Sequence, residues 1–181
     1  MENFCECNFR TIAWQVRLIK IFWHTVWMKN IYLYLGLFIL IASCSQESEL
    51  QSNLEQSETF LLSNSAKDEV ISLEDGLQYS VIESGDMSEP SPELSDTITA
   101  HFHGTLMDGS VFWSSVEMGD PLTIQLSQLI PGCQKVISQM RVGDLWRVFI
   151  HPSLAYGEEG RPTIPPNSTL IFDIELINVD G

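Results

Sequence analysis

The sequence contains few cysteines, and their positions exclude two devices that commonly stabilise small proteins. Cys5 and Cys7 lie near the amino terminus, Cys44 follows an apolar run, and Cys133 is the only cysteine beyond it. One thiol cannot form an internal disulfide, and a cysteine-based zinc site would need at least a Cys pair or a Cys–His cluster. We therefore expect neither a structural disulfide nor a structural metal in the main body of the chain.

Basic residues are also scarce. The chain has nine Lys and Arg against 24 Asp and Glu, and from Cys44 onward 22 acidic residues face five basic ones, a net charge of −17. Such a surface repels phosphate backbones and anionic lipid headgroups. This charge balance argues against nucleic-acid binding, and any attachment to a membrane would have to come from lipid.

The usual motifs of nucleophilic, nucleotide-dependent and metal-dependent enzymes are missing. The sequence has no Gly-x-Ser-x-Gly, no Gly-rich phosphate loop and no His-Glu-x-x-His. His101, His103 and His151 could suggest a metal site, but no Cys or acidic partner stands at ligand spacing, so exposed strand histidines are the favoured interpretation. We predict no metal and no cofactor.

A segment near the amino terminus is typical of export and lipid attachment. The basic start Met28-Lys29 precedes an apolar run over residues 31–41, which ends at Ile41-Ala42-Ser43-Cys44. The run is shorter than the roughly 20 apolar residues that span a bilayer. It resembles a bacterial lipobox, so we predict a signal peptide over residues 28–43, acylation of Cys44, and a place at the outer membrane facing the periplasm, with display at the cell surface left open.

Residues 1–27 do not fit that scheme, because a signal peptide should begin with its basic residues. We expect translation to start at Met28, with residues 1–27 an upstream extension that the protein does not contain. The alternative is an amphipathic segment on the membrane surface, with Arg10, Arg17 and Lys20 on one side.

Residues 44–68 are rich in Ser, Gln, Glu and Asn. A composition with few large apolar residues buries too little surface to offset the entropy of ordering, so we predict a flexible acidic tether. One short helix built on Leu50, Leu54, Leu61 and Leu62 is the alternative.

Residues 69–181 suffice for one small domain with a single core. Apolar and polar residues alternate in three segments, which predicts strands with one buried face. The apolar positions are Ile98, Ala100 and Phe102, then Leu122, Ile124 and Leu126, and finally Phe172, Ile174 and Leu176. Helical spacing occurs once, over Cys133, Val136, Ile137 and Met140, with Pro131 at its entry and Gly143 at its exit. We predict an α+β fold in which an antiparallel sheet packs on one short helix.

The carboxyl-terminal third carries the most specific pattern. Tyr156-Gly157 forms a turn, Ile164-Pro165-Pro166 ends a loop, and an alternating strand follows over residues 170–176. Upstream, residues 96–112 look like a first hairpin and residues 128–132 like the lead-in to a helix. Together these segments resemble the FKBP-type peptidyl-prolyl isomerases, nearest to the secreted bacterial proteins similar to macrophage infectivity potentiators. The resemblance covers residues 73–179 and implies a curved antiparallel sheet wrapped on one helix.

The resemblance also implies an activity and a cleft. The family rotates X-Pro bonds, so the implied partners are proline-containing polypeptides. The N–H of Ile130 and the hydroxyl of Tyr156 match the groups that bond carbonyls of the bound peptide, and Phe172 and Phe102 complete the implied catalytic set. The residues implied to line the rest of the cleft are Phe112, Trp113, Leu129, Cys133 and Ile164.

The chemistry of this reaction needs no nucleophile, metal or general acid. The amide must lose its resonance, at a barrier of about 18–20 kcal/mol, and the twisted amide has less charge separation than the planar one. An apolar cleft with little water therefore favours the twisted state over the ground state, which is catalysis by differential binding.

Four positions depart from the family pattern. Trp113 stands where the family has an Asp that helps to order the Tyr, and Cys133 stands where a Trp forms the floor. Phe102 replaces a common Tyr, and Leu122 replaces an aromatic residue. We expect an isomerase of reduced efficiency that binds macrolide inhibitors weakly and assists the folding of exported proteins. The alternatives are a holdase or peptide-binding module without useful catalysis, and an interaction lipoprotein at the cell surface.

Glu158-Glu159 is interpreted as a solvated turn, with tuning of substrate choice as the alternative.

Overall fold

The computed structural model describes residues 47–85 and 88–181. By its internal contacts the chain divides into two compact units, Met1–Ser48 and Glu49–Gly181, and nearly all described residues belong to the second. The predictions for residues 1–27, the signal peptide over residues 28–43 and the acylation of Cys44 lie outside the described residues. Within the described ranges no helix is both long enough and apolar enough to cross a membrane.

The described chain begins in a helix, α1, over residues 47–64, and continues through seven strands and two further helices. In chain order these are β1 (Ile71–Glu74), β2 (Leu77–Glu83), β3 (Thr97–Thr105), β4 (Val111–Ser114), α2 (Ser115–Met118), β5 (Leu122–Gln125), α3 (Pro131–Ile137), β6 (Leu145–Ile150) and β7 (Leu170–Asp180). Short 3-10 turns cover Leu126–Gln128 and Pro152–Leu154.

All strand pairs are antiparallel, in the order β1-β2-β6-β7-β3-β4, and β5 pairs with the first half of β3. Strand β3 alternates between half-buried and buried positions over its whole length, as its period of two predicted. Ile98, Ala100 and Phe102 face the core at 2% exposure or less. The α+β architecture expected from the sequence is confirmed.

Helix α3 closes one face of the sheet. Cys133, Val136, Ile137 and Met140 are all buried, which confirms the predicted apolar stripe, although the helix ends at Ile137 and Met140 lies in the following turn. Pro131 occupies the first turn, as expected. Gly132 permits the close approach to β6, because a Cβ there would lie 2.5 Å from Cγ2 of Ile150.

One helical turn, α2, was not predicted from the sequence. It is only four residues long, so a periodic apolar stripe cannot identify it. Local chemistry accounts for it instead. Ser114 caps the turn by accepting a hydrogen bond from the N–H of Glu117 at 3.2 Å, and Gly119 ends it in the left-handed region at φ 74°.

The prediction of a flexible tether over residues 44–68 is wrong for the described part, because residues 47–64 form helix α1. Phe60 packs on Phe149 of β6, with ring centroids 6.1 Å apart. The inward positions of α1 follow helical spacing, but three of them are polar, and this hid the stripe in the sequence. The buried and half-buried positions are Leu50, Asn53, Leu54, Ser57, Phe60, Leu61 and Asn64. The alternative short helix was the better interpretation, although Leu62 points outward at 75% exposure.

Candidate functional site

A cavity of about 380 Å³ opens between the sheet, the start of α3 and the loop before β7. This volume lies within the range of roughly 300–1,000 Å³ typical of ligand pockets. All nine residues predicted for the site line it: Phe102, Phe112, Trp113, Leu129, Ile130, Cys133, Tyr156, Ile164 and Phe172. The lining is mostly apolar, as an environment that excludes water from a bound amide requires.

Three phenylalanines build one wall, each from a different strand. The rings of Phe112 and Phe172 meet edge to face with centroids 5.3 Å apart, and Phe102 meets Phe172 in the same way at 6.2 Å. Gly104 makes this cluster possible, because a Cβ at that position would lie 2.5 Å from Cζ of Phe112 and 2.8 Å from Cε1 of Phe172. The absence of a side chain at Gly104 therefore shapes the cavity.

Phe112 and Trp113 both line the cavity, although neighbours in a regular strand point to opposite faces. A β-bulge explains this arrangement. Gly104 pairs with Trp113 whereas Thr105 pairs with Val111, so Phe112 is the extra residue on β4. The ring of Trp113 turns toward the cavity and lies 6.1 Å from that of Phe102. It adds aromatic surface at a position where the family resemblance implied an acidic group.

Cys133 lies within α3 at 2% exposure, on the floor of the cavity. Burial raises the pKa of its thiol to about 12, because the thiolate would lose its hydration. The thiol is therefore neutral at physiological pH and is a poor nucleophile. The Cys133 side chain therefore lines the cavity as a small apolar group.

Two residues that line the cavity carry hydrogen-bond donors without a partner in the described chain. Ile130 is the N-cap residue of α3, and its carbonyl accepts from Gln134 at 3.0 Å, but no described residue accepts from its N–H. The hydroxyl of Tyr156 likewise has no described partner. The guanidinium of Arg161 lies 4.7 Å from the centroid of the Tyr156 ring, a cation–π contact that restrains the ring. Both donors are available to carbonyl oxygens of a ligand.

Four further residues line the cavity that were not predicted to do so: Leu122, Gln128, Arg161 and Thr163. Gln128 directly precedes Leu129, and Arg161 and Thr163 share a loop with Ile164. Mutual backbone hydrogen bonds between Arg161 and Ile164, at 2.8 and 2.9 Å, fold this loop tightly. Proximity in the sequence to predicted residues was the available signal for Gln128, Arg161 and Thr163.

The three strand and loop histidines each contact a serine. Nδ1 of His101 lies 3.0 Å from Oγ of Ser115, and Nδ1 of His103 lies 2.9 Å from Oγ of Ser114. His151 pairs with Ser153 at 2.8 Å. Across residues 47–85 and 88–181 no three potential metal ligands cluster.

Two family models match the chain. The model described as FKBP-type peptidyl-prolyl cis-trans isomerase matches residues 89–177, and the model described as the domain amino-terminal to it matches residues 41–81. The second match covers α1, and the first covers every residue that lines the cavity.

Named relatives agree with these matches. The chain is 42% identical to the peptidyl-prolyl cis-trans isomerase Mip of Coxiella burnetii, over 70% of this chain and 55% of the relative. It is also 42% identical to the outer membrane protein MIP of Legionella longbeachae, over 77% of this chain and 60% of the relative. The chain thus spans between about half and three-fifths of the length of these relatives.

Solved structures show the same likeness. The crystal structure of FkpA from Escherichia coli superposes with a TM-score of 0.72 at 35% identity, covering 77% of this chain and 64% of that one. A peptidyl-prolyl isomerase structure from Pseudomonas syringae superposes with a TM-score of 0.67 at 31% identity, covering 72% of this chain and 96% of that one.

Proposed function

The chain belongs to the FKBP-type peptidyl-prolyl cis-trans isomerase family, and from that premise we propose that it isomerises X-Pro bonds in polypeptides. The observation that carries the proposal is that one mostly apolar cavity, with five aromatic side chains in its lining, also contains two unpaired donors, the N–H of Ile130 and the hydroxyl of Tyr156. An apolar box for a prolyl ring and two anchors for a peptide backbone are the parts that this reaction needs.

In the proposed mechanism the prolyl ring enters between Phe102, Phe112 and Phe172. The Ile130 N–H and the Tyr156 hydroxyl each donate to a carbonyl oxygen of the peptide, which fixes the chain on either side of the rotating bond. The surrounding apolar groups exclude the water that stabilises the planar, charge-separated amide. The twisted amide is then favoured relative to the ground state.

Covalent catalysis is not part of the proposal. The thiol of Cys133 is neutral because burial raises its pKa to about 12, and it occupies the floor rather than the mouth. Cys133 is smaller than the Trp that the family resemblance implied at this position, and Trp113 adds aromatic surface beside Phe102. We therefore propose reduced catalytic efficiency and weak binding of macrolide inhibitors.

We propose that the protein acts on exported polypeptides while attached by lipid at Cys44. The support is the lipobox-like run at residues 41–44 and the name of the Legionella longbeachae relative, an outer membrane protein. A Cys44→Ser variant expressed with its own signal peptide should move from the membrane fraction to the soluble periplasmic fraction. A variant that stays with the outer membrane would contradict anchoring through this residue.

The activity is tested with the whole chain in an NMR exchange assay on a panel of X-Pro peptides, beside a Cys133→Trp variant. The expected result is acceleration by the native protein, with a higher kcat/KM for Cys133→Trp because the larger floor fills the cavity. A second candidate function, peptide binding without catalysis, is favoured by the small side chain of Cys133 in the cavity lining. It would be supported by peptide binding without any acceleration in the native protein.

A further inference from the structure

Helix α1 contacts a loop that carries four of the thirteen residues lining the cavity, and we propose that Ser57 of this helix is a positioning residue for the site. The loop covers residues 156–169 and contributes Tyr156, Arg161, Thr163 and Ile164 to the lining. Because it concerns how the cavity is held in its working geometry, this inference rests on the proposed isomerase function.

The two ends of this loop meet at its base. The N–H of Asn167 donates to the carbonyl of Gly157 at 2.8 Å, which closes the loop just beyond Tyr156. Asn167 adopts φ 55°, and of the described residues it is the one non-glycine with a positive φ. A left-handed residue is strained unless its surroundings hold it. The base of the loop therefore depends on what packs against Asn167.

Helix α1 supplies that support. Ser57 is fully buried, and its hydroxyl donates to the carbonyl of Asn167 at 2.8 Å while it accepts from the N–H of Thr169 at 3.0 Å. Asn53, one turn earlier, donates to the carbonyl of Pro166 at 3.0 Å. The side chain of Asn167 donates in return to the carbonyl of Leu50 at 3.1 Å. Four hydrogen bonds thus join α1 to one short stretch of the loop base.

These bonds satisfy backbone groups that are buried by the helix itself. Replacing Ser57 with Ala leaves the Asn167 carbonyl and the Thr169 N–H buried without a partner, and buried unsatisfied groups are relieved by local movement. The segment free to move is the loop base, which connects directly to Tyr156 and Ile164. Displacement of a positioned group by about 1 Å can lower a rate up to 100-fold, so a loss of roughly fivefold in kcat/KM is expected from a partial loosening.

The other end of α1 offers a matched control. Nδ2 of Asn64 donates to Oε1 of Gln78 at 2.9 Å, and Nε2 of Gln78 donates to the carbonyl of Leu61 at 2.8 Å. Asn64 is 1% exposed, so its loss also leaves buried polar groups unpaired. This anchor holds α1 on β2 and touches no residue of the loop. Asn64→Ala should therefore lower the stability of the fold without changing the cavity.

The experiment compares the whole chain with Ser57→Ala and Asn64→Ala for kcat/KM on an X-Pro peptide, urea unfolding, and amide exchange at Thr169. We expect Ser57→Ala to lose roughly fivefold in kcat/KM and to exchange the Thr169 amide faster, as the loosening argument implies. We expect Asn64→Ala to lose stability alone. Equal kcat/KM in the two variants, or an unchanged Thr169 amide in Ser57→Ala, would overturn the inference.

A second variant and a second measurement cover the cases in which Ser57→Ala does not fold or the native protein has no isomerase activity. If Ser57→Ala does not fold, Asn53→Ala removes the half-buried contact to Pro166 and is measured in its place against the same control. If the native protein has no isomerase activity, the proposed function fails while the inference is still tested by binding of a proline peptide. Weaker binding by Ser57→Ala than by Asn64→Ala would then support it, and equal binding would refute it.

Discussion

At the scale of single residues, the site combines an unusual floor with familiar donors. Trp113 and Cys133 occupy positions at which the family resemblance implied Asp and Trp. Both nevertheless line the same cavity as the residues that agree with the family pattern. The hydroxyl of Tyr156 lacks a partner among the described residues, which agrees with an apolar group at position 113. We therefore expect this hydroxyl to be less firmly oriented than it would be beside a carboxylate.

The Tyr156 hydroxyl can be tested without disturbing the fold. In Tyr156→Phe we expect kcat/KM to fall about three- to tenfold, since one hydrogen bond contributes about 0.5–1.5 kcal/mol net. The free energy of unfolding should stay within about 0.5 kcal/mol of the native value, as for surface changes that break no contact. Exchange NMR and urea unfolding measure the two quantities. An unchanged kcat/KM would show that this hydroxyl does not bond the substrate.

The buried thiol of Cys133 should make the stability of the fold depend on pH. Burial raises the pKa of its thiol from about 9.0 to about 12 in the fold, so the unfolded chain loses this proton at lower pH than the folded chain. The contribution of the buried neutral thiol to the free energy of unfolding is fully present below about pH 9 and is lost as the pH rises toward 12. Cys133→Ala should therefore lose less stability than the native protein between those values, measured by urea unfolding at several pH values. Parallel pH profiles for the two proteins would contradict this assignment.

At the scale of elements, the cavity depends on how closely β3, β4 and β7 approach one another. In Gly104→Ala the new Cβ would meet the rings of Phe112 and Phe172 at 2.5 and 2.8 Å. Overpacking of this kind costs about 1–3 kcal/mol in the free energy of unfolding, and the displaced rings should lower proline-peptide affinity. Gly181→Ala is the control, because its Cβ would meet only Asp96 at 3.7 Å. Native stability in Gly104→Ala would mean that the rings can yield without cost.

Some of the strands and helices could be predicted from the sequence, and others could not. Period-two alternation identified β3 and β7 because one face of each is buried, and the motifs around Tyr156 and Ile164 located the cavity lining. A tether was preferred to helix α1 because Ser57 and Asn64 occupy buried positions, and their hydrogen-bond partners, Asn167 and Gln78, lie outside the helix. A polar residue in a sequence does not reveal a distant hydrogen-bond partner.

The β-bulge on β4 was beyond prediction for a related reason. Strand alternation implies that Phe112 and Trp113 point to opposite faces, whereas the register shift beside Gly104 turns both toward the cavity. The ring of Phe112 there packs on Phe172, which lies on a non-adjacent strand. Only the assembled sheet contains that information.

At the scale of the whole molecule, the net charge of −17 from Cys44 onward should select among substrates. A strongly acidic surface attracts basic polypeptides over long distances and repels acidic ones. Locally, the cavity lining contains the cation Arg161, and the exposed Glu158 and Glu159 lie in the same loop. The two length scales can therefore be separated, because the summed field is screened by salt over about 10 Å at 0.1 M, whereas a contact with Arg161 persists.

We expect an X-Pro peptide flanked by lysines to show a severalfold higher kcat/KM than one flanked by glutamates at low salt, where screening extends over about 30 Å at 0.01 M. The difference should shrink toward unity near 1 M salt, where the screening length is about 3 Å. A peptide with uncharged flanks is the control and should respond little to salt. Preference for the glutamate peptide would instead assign substrate choice to Arg161, and an Arg161→Gln variant would then abolish that preference.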